Sequence, residues 1–299
     1  MNRKIMVLTL MCVLLLFFPF LCAAAGHGDG HSQADDKEPA ILLVTFGTSI
    51  PDAQAAFDNI DKRVKKAFPK TEIRWAYTSY IIRQKLAKEG KILDSPEVAL
   101  AKLMDEGYTK VAVQSLHMIP GAEFHDIRVN AGKFEEMTGG FDKVFVSYPL
   151  LASDENMDKV VEALIANMIP KERKKEDAVV LMGHGTHHSS DAIYSAMMYK
   201  FRKADPNIYV GTVEGHPSFD EIKAMLEEKG IKKAYLLPFM SVAGDHAIND
   251  MAGDEEDAWK VMLTKAGIEC VPVLKGVAEY DALVDIWIGN LAACMKHLK

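Results

Sequence analysis

Two histidines and one glutamate are the residues of this sequence with the clearest capacity for chemistry. His184 follows an apolar run in "VVLMGHGTHHSS" (179–190), Glu214 lies in "IYVGTVEG" (208–215), and His246 lies in "SVAGDHAIND" (241–250). Two imidazoles and one carboxylate suit a first-row divalent cation such as Co²⁺, Ni²⁺, Fe²⁺ or Zn²⁺, and these donors alone do not choose among the metals. If the three side chains meet, the sequence predicts a divalent metal site.

Each of these residues also has a structural interpretation. A histidine at a strand end can simply be hydrogen-bonded, Glu214 could cap a helix that begins near Pro217, and His246 could begin a helix beside Asp245. Their joint occurrence after three successive apolar runs favours a functional role. The other nearby histidines, His187, His188 and His216, are expected at the surface or around the metal ligands.

The elements that position these residues follow from hydrophobic patterning. From Ala40 onward, short apolar runs alternate with longer amphipathic segments, which is typical of parallel sheets covered by helices. The predicted strands are 40–47, 72–78, 110–118, 143–151, 178–186, 208–215, 233–241 and 268–276. Helix signals lie between them, such as the cap and exit pairs Ser95 with Gly107 and Ser218 with Gly230.

The second four runs repeat the first four. "VTFGTS" (44–49) aligns with "MGHGTH" (182–187), "WAYTS" (75–79) with "GTVEG" (211–215), and "SLHMIPGAEFHDI" (115–127) with "PFMSVAGDHAIND" (238–250). This duplication predicts an α/β fold of two similar doubly wound lobes, each with a four-stranded, mainly parallel sheet flanked by helices. We expect an N-terminal lobe over 40–153, a C-terminal lobe over 154–299 that carries the metal site, and a ligand cleft between them.

The N-terminal residues have the composition of a targeting segment. Residues 1–25 carry Arg3 and Lys4, an apolar run and a terminal "AAA", which predicts a cleaved signal peptide and an exported, periplasmic protein. An uncleaved membrane anchor is the alternative. Residues 26–39 are expected to form a flexible polar tail, in which His27 and His31 either bind a metal weakly or are simply solvated.

Composition limits the classes of partner. The chain has 299 residues, of which 49% are hydrophobic, so it can bury a large core. Loss of Arg3 and Lys4 with the signal would take the formal net charge from −7 to about −9, which disfavours nucleic acid and anionic membranes as partners. Only Cys270 and Cys294 would remain; they could pair in an oxidising compartment, but two cysteines do not define a fold of this size.

Several motifs together resemble those of one enzyme family. "VLMGHGTHH", "VGTVEGHPS", "LLPFMSVAGDHAINDMAGDEEDAW", "LLVTFGTS", "YTSYIIRQKL" and "SLHMIPGAEF" are similar to the ATP-independent (class II) cobalt chelatases of the anaerobic cobalamin pathway, which are relatives of the ferrochelatases. The resemblance covers about residues 40–298. It implies that His184, Glu214 and His246 are the metal-binding and catalytic residues, with no substitution at any of the three.

The resemblance also implies a substrate and a reaction. The expected reaction is insertion of Co²⁺, or alternatively Fe²⁺, into the tetrapyrrole sirohydrochlorin, and the sequence contains no nucleotide-binding G-x-x-x-x-G-K-[ST] motif. The predicted signal peptide departs from the family, whose members in cobalamin synthesis are expected in the cytoplasm. A chelatase fold used outside the inner membrane as a carrier of metal or haem is therefore the alternative.

Further residues are candidates for contact with the ring. Arg83 and Lys85 could face its carboxylates, Met118 and Met240 its apolar faces, and His125 could be a second tetrapyrrole or metal contact. Solvated helix faces and core packing explain the same residues without a ligand. We expect no membrane-spanning segment after signal cleavage, and a homo-oligomer is compatible with the sequence.

Overall fold

The structure is a computed structural model that describes residues 37–298. The predicted signal peptide (1–25) and most of the predicted polar tail, including His27 and His31, lie outside the described residues.

Within residues 37–298, eight strands form two four-stranded parallel sheets, which confirms the predicted fold. The first sheet contains β1 (Ala40–Thr45), β2 (Ile73–Tyr77), β3 (Lys110–Ser115) and β4 (Lys143–Ser147) in the order β2-β1-β3-β4. The second contains β5 (Ala178–Gly183), β6 (Ile208–Thr212), β7 (Lys233–Pro238) and β8 (Glu269–Pro272) in the order β6-β5-β7-β8. The two orders are equivalent, as the internal repeat predicts.

Helices cover both sheets. They are α1 (Gln54–Ala67), α2 (Tyr80–Lys88), α3 (Pro96–Asp105), α4 (Ala122–Glu136), α5 (Asp154–Asn167), α6 (Ala192–Ala204), α7 (Phe219–Glu228), α8 (Trp259–Lys265) and α9 (Asp281–Lys296). The predicted caps are present: the Ser95 side chain accepts from the backbone N–H of Val98, and Ser218 forms a capping box with Glu221. Among residues 37–298, no helix has both the length and the apolar composition needed to cross a bilayer.

The central strands of both sheets lie in the interior. Every residue of β1 and of β5 is buried, which is why both strands read as continuous apolar runs rather than as alternating patterns. Burial on both faces fixes the ends of these strands, and the loops that follow them start from defined positions.

A shared core and the last helix join the two lobes. One hydrophobic cluster includes Ile41 of β1, Val179 of β5 and Leu291 of α9. Although α9 follows the second sheet in sequence, it packs against α1 and α5 and lies beside β3 and β4 of the first lobe. The described residues form one compact unit, and the boundary between 153 and 154 stays a prediction.

The two cysteines among the described residues are not paired with each other. Cys270 and Cys294 are both free, and their thiols lie near the carbonyl oxygens of Ile268 (3.6 Å) and Phe145 (3.4 Å), respectively. Burial raises the pKa of the Cys270 thiol to about 11 and that of Cys294 to about 12, so both are protonated at neutral pH.

Substitution of Leu291 by Ala tests the role of α9 in joining the lobes. Leu291 is 0% exposed, so its truncation is expected to lower the free energy of unfolding by about 2–5 kcal/mol. Urea denaturation measures this change. Lys296→Ala, an exposed change on the same helix, is the control and should stay within about 0.5 kcal/mol of the parent protein; equal effects of the two variants would contradict the assignment.

Candidate metal and active site

The structure brings His184, Glu214 and His246 together at the carboxyl end of the second sheet. His184 follows β5, Glu214 follows β6, and His246 lies beyond β7. The ring centroids of the two histidines are 4.8 Å apart with the planes at 85°, and His184 Nδ1 lies 3.9 Å from Glu214 Oε2. The side chains of His184, Glu214 and His246 are 47%, 52% and 32% exposed, respectively, so a ligand can reach them from solvent.

Backbone pairing holds the first two residues at this spacing. The parallel pairing of β5 with β6 continues past both strands, because Val213 N donates to Gly183 O (3.1 Å) and Glu214 N donates to His184 O (2.8 Å). Gly185 has a φ of +81°, and a Cβ at this position would lie 2.4 Å from the backbone nitrogen of Gly215. A glycine is therefore required for the two loops to approach each other.

The hydrogen bonds of the imidazoles leave one nitrogen of each ring available to a metal. His184 Nδ1 lies 2.9 Å from the carbonyl oxygen of Gly185, and His246 Nδ1 pairs with the carboxylate of Asp250. A carbonyl oxygen and a carboxylate only accept hydrogen bonds, so Nδ1 is the protonated nitrogen and Nε2 carries the lone pair. A partner on the non-ligating nitrogen is the usual arrangement of metal-binding histidines, since it fixes the tautomer and orientation.

The three side chains are neighbours but do not yet point at one centre. Across residues 37–298, no group of three His, Cys, Asp or Glu side chains is already arranged to hold an ion. The T-shaped contact between His184 and His246 explains this, because it directs the edge of one ring at the face of the other. All three side chains are partly exposed, so rotation about their side-chain bonds would disturb little packing.

Loops of the first lobe border the site. A Cβ on Gly244, two residues before His246, would lie 3.7 Å from Thr48 Oγ1, and Ser241 Oγ donates to Leu116 O (2.7 Å). The loops after β1 and β3 therefore meet the loop after β7. Phe46, at the end of β1, is 50% exposed at this junction.

Sequence reasoning did not single out three carboxylates around this site. Asp250 lies one helical turn after His246, where a π-helix runs over Ala247–Met251. Glu123 is exposed in the first turn of α4, and the internal repeat aligns it with His246. Asp191 lies at the start of α6. The repeat was the signal available for Glu123, and the spacing of four residues was the signal for Asp250.

Two of these carboxylates influence a tyrosine behind the site. Burial raises the pKa of Tyr194 to about 12, and the negative charges of Asp191 and Glu123 act in the same direction. The ring of Tyr194 also occupies the space beside Gly183, where a Cβ would lie 2.4 Å from the ring. Tyr194 is therefore a protonated packing residue under the β5 loop.

The structure does not gather the five predicted ring contacts in one place. Met118 is 7% exposed and packs in the core that joins the lobes, whereas Met240 is half-buried against the core of the second lobe. Arg83 is half-buried with its guanidinium 5.7 Å from the centroid of Tyr80, and Lys85 and His125 are exposed on α2 and α4. Their contact with a ligand stays a prediction; for Met118 the structure shows core packing.

A family model described as cobalt chelatase (CbiK) matches residues 39–296. The chain belongs to the cobalt chelatase family. This confirms the resemblance carried by the motifs around His184, Glu214 and His246.

Two curated members of the cobalt chelatase family are similar over most of their length. A sirohydrochlorin cobaltochelatase (CbiKC) of Nitratidesulfovibrio vulgaris is 42% identical over 258 residues, which cover 86% of this chain and 91% of the relative. The sirohydrochlorin cobaltochelatase of Salmonella typhimurium is 35% identical over 254 residues, covering 84% and 94%.

Solved structures of more distant proteins share the fold. SirB from Bacillus subtilis superposes with a TM-score of 0.60 at 15% identity, covering 87% of this chain and 96% of SirB. CbiX, described as the terminal enzyme of sirohaem biosynthesis in denitrifying bacteria, superposes with a TM-score of 0.51 at 17% identity, covering 85% and 98%. At these identities the likeness supports the two-lobed architecture and nothing finer.

One half-buried histidine near this site, whose Nε2 is buried, makes the stability of the chelatase fold sensitive to acid. His117, in the loop after β3, has Nδ1 2.9 Å from Ser115 Oγ, while its Nε2 is buried with no hydrogen-bond partner among the described residues. Burial lowers the pKa of His117 from 6.5 to about 4, and the charge of Glu123 acts weakly in the opposite direction. The neutral imidazole is therefore the form that the fold accepts.

His117→Gln is expected to reduce this sensitivity to acid. Between pH 6.5 and about 4 the unfolded chain binds a proton on His117 and the folded chain does not, so the free energy of unfolding falls as pH falls through this interval. Urea denaturation at several pH values should give a shallower pH slope for the variant than for the parent, with His125→Gln as the exposed control. Identical slopes for the parent and His117→Gln would contradict the burial of a neutral ring.

Proposed function

We propose that the protein inserts Co²⁺ into sirohydrochlorin without a nucleotide. The observation that carries this proposal is the meeting of His184, Glu214 and His246 at the end of one sheet in a chain of the cobalt chelatase family. The relatives named sirohydrochlorin cobaltochelatase support the substrate and the metal. Fe²⁺ is proposed as a second substrate metal, because the same donor set accepts it.

The donor set suits a metal that must be bound and then released. In the proposed reaction Nε2 of His184 and Nε2 of His246 replace part of the water shell of Co²⁺, and the four ring nitrogens then replace the imidazoles. A site whose ligands rotate into place favours transfer, because tight prior binding in a rigid cage would stabilise the ground state instead of the transition state.

Two carboxylates are candidates to remove the two pyrrole N–H protons. Glu214 either completes the metal site or accepts a proton, since it lies next to His184 on the second-lobe side. Glu123 occupies the aligned position of the first lobe and is exposed. A carboxylate within reach of the ring nitrogens would act as a general base in this step.

The first lobe offers an apolar surface for a flat ring. Phe46 after β1 and Tyr80 and Ile81 after β2 are 50%, 65% and 66% exposed. Aromatic side chains stack on flat macrocycles with little loss of conformational entropy. Arg83 lies on the same helix with its guanidinium near the ring of Tyr80, and we propose that it contacts a carboxylate of the substrate.

We also propose that the protein is exported, and a carrier function is the alternative that export would favour. The composition of residues 1–25 supports export to the periplasm. Export would also favour a carrier of metal or haem on the same fold, with His125 as a candidate contact, but both curated relatives carry the name of an enzyme. Insertion of the metal into the tetrapyrrole, which belongs to the lyase class of reactions, is therefore the reaction to test.

Mixing the mature protein with sirohydrochlorin and Co²⁺ in the absence of ATP tests this function. The absorption change of metal insertion should be catalysed by the parent protein, and His184→Ala, Glu214→Gln and His246→Ala should each lower its rate by about 10²–10⁴-fold, the range typical of a lost catalytic group. Thermal unfolding should change little, because these side chains are partly exposed at the surface of the fold.

His297→Ala is the matched control for loss of a histidine, because His297 stacks on Phe145 of β4 and has no place in the proposed site. Stoichiometric binding of the ring or the metal, with no catalysed insertion of Co²⁺ or Fe²⁺, would overturn the enzymatic function and leave the carrier function as the explanation.

A further inference from the structure

We propose that Asp191 is a positioning residue that sets the spacing of His184 and Glu214, and with it the affinity for the substrate metal. This inference rests on the proposed function, because it concerns the same metal site. Asp191 is the last residue of the short 3₁₀ turn Ser189–Asp191 and immediately precedes helix α6. It is not one of the three predicted metal ligands.

The two carboxylate oxygens of Asp191 serve two different loops. Thr186 N, two residues after His184, donates to Oδ1 (3.0 Å), and His216 N, two residues after Glu214, donates to Oδ2 (2.8 Å). One side chain therefore connects the loop after β5 with the loop after β6. Both bonds involve a charged acceptor, which makes them stronger than bonds between neutral groups.

Asp191 does not perform the usual task of an aspartate at a helix start. An aspartate at the N-cap normally accepts a hydrogen bond from the first turn of its own helix. At the start of α6 the side chain of Asp191 makes no such bond. Its carboxylate is directed at the two loops instead, so helix capping does not explain why an acidic residue stands at this position.

The space around the carboxylate supports the same role. A Cβ on Gly215 would lie 2.1 Å from Asp191 Oδ1, so a larger residue at this point would force the carboxylate to move. The same Gly215 is approached by Gly185 of the other loop. The two glycines and Asp191 therefore form one packed junction directly behind His184 and Glu214.

This junction restrains the two loops that carry the proposed metal ligands, in addition to the hydrogen bond between their backbones. The bond from Glu214 N to His184 O fixes the loops at the strand ends, and Asp191 fixes them again two residues further along. Between these points lie Gly185 and Gly215, which restrict the backbone little by themselves. Metal–ligand distances tolerate errors of only about 0.2 Å, so small movements of either loop should weaken metal binding.

Asp191→Asn removes one of the two bonds while keeping the shape of the side chain. The amide has a single oxygen acceptor, and in either orientation its NH₂ group faces a backbone N–H that needs an acceptor. We expect Co²⁺ affinity, measured by calorimetry on the mature protein without tetrapyrrole, to fall about 10–100-fold, the usual effect of losing an outer partner of a metal site. The KM for Co²⁺ should rise by a similar factor, with the KM for sirohydrochlorin unchanged.

Two further variants make the test specific. Gly215→Ala retains Asp191 but places a methyl group against its carboxylate, so it should also weaken Co²⁺ binding, and it serves if Asp191→Asn does not fold. Asp220→Asn, an exposed aspartate in the first turn of α7, is the control for loss of one negative charge at a helix start and should bind Co²⁺ like the parent.

The outcomes separate this inference from the proposed function. A parent protein that inserts Co²⁺, together with an Asp191→Asn variant of unchanged Co²⁺ affinity and KM, would overturn the positioning role alone. A lowered melting temperature together with a lower kcat and a higher KM for both Co²⁺ and sirohydrochlorin would show that Asp191 acts only on stability. That result would also overturn the positioning role. A parent protein that neither binds nor inserts Co²⁺ would overturn the proposed function first.

Discussion

The site depends on the parallel pairing of β5 and β6, which continues past the ends of both strands, as far as His184 after β5 and Glu214 after β6. The hydrogen bond from Glu214 N to His184 O places a carboxylate and an imidazole side by side on adjacent loops. Parallel strands make this possible, because their carboxyl ends lie at the same edge of the sheet. The burial of β5 on both faces keeps this edge in place, and β7, on the other side of β5, delivers the loop of His246 to the same edge.

The two lobes share one topology but present different chemistry. At aligned strand ends the second lobe carries His184, Glu214 and His246, while the first lobe carries Phe46, Thr78 and Glu123. A duplicated fold thus supplies two facing surfaces, one with candidate metal donors and one with an aromatic ring and a carboxylate. If a flat tetrapyrrole binds between these surfaces, the metal would approach the face of the ring that is turned towards the second lobe.

Rigid backbone and exposed side chains are combined at the site. The core shared by both lobes, the return of α9 to the first lobe and the glycine-lined junction of the β5 and β6 loops restrict the main chain. The three candidate ligands are nevertheless between 32% and 52% exposed and are not preassembled. A site that passes its metal on needs both properties, because the donors must be near one another and must also let the ion go.

The sequence by itself determined the eight strands, the helix caps at Ser95 and Ser218, the internal repeat and the three residues that meet after β5, β6 and β7. These features depend on local patterns of hydrophobicity and on strand ends that any parallel sheet aligns. Only the tertiary structure decided that Asp191 bonds to a residue 25 positions away, that α9 covers the first lobe, that Met118 is packed in the core and that Cys270 and Cys294 stay apart. Such contacts join segments that are distant in sequence, and their partners are set by side-chain packing, which no local pattern encodes.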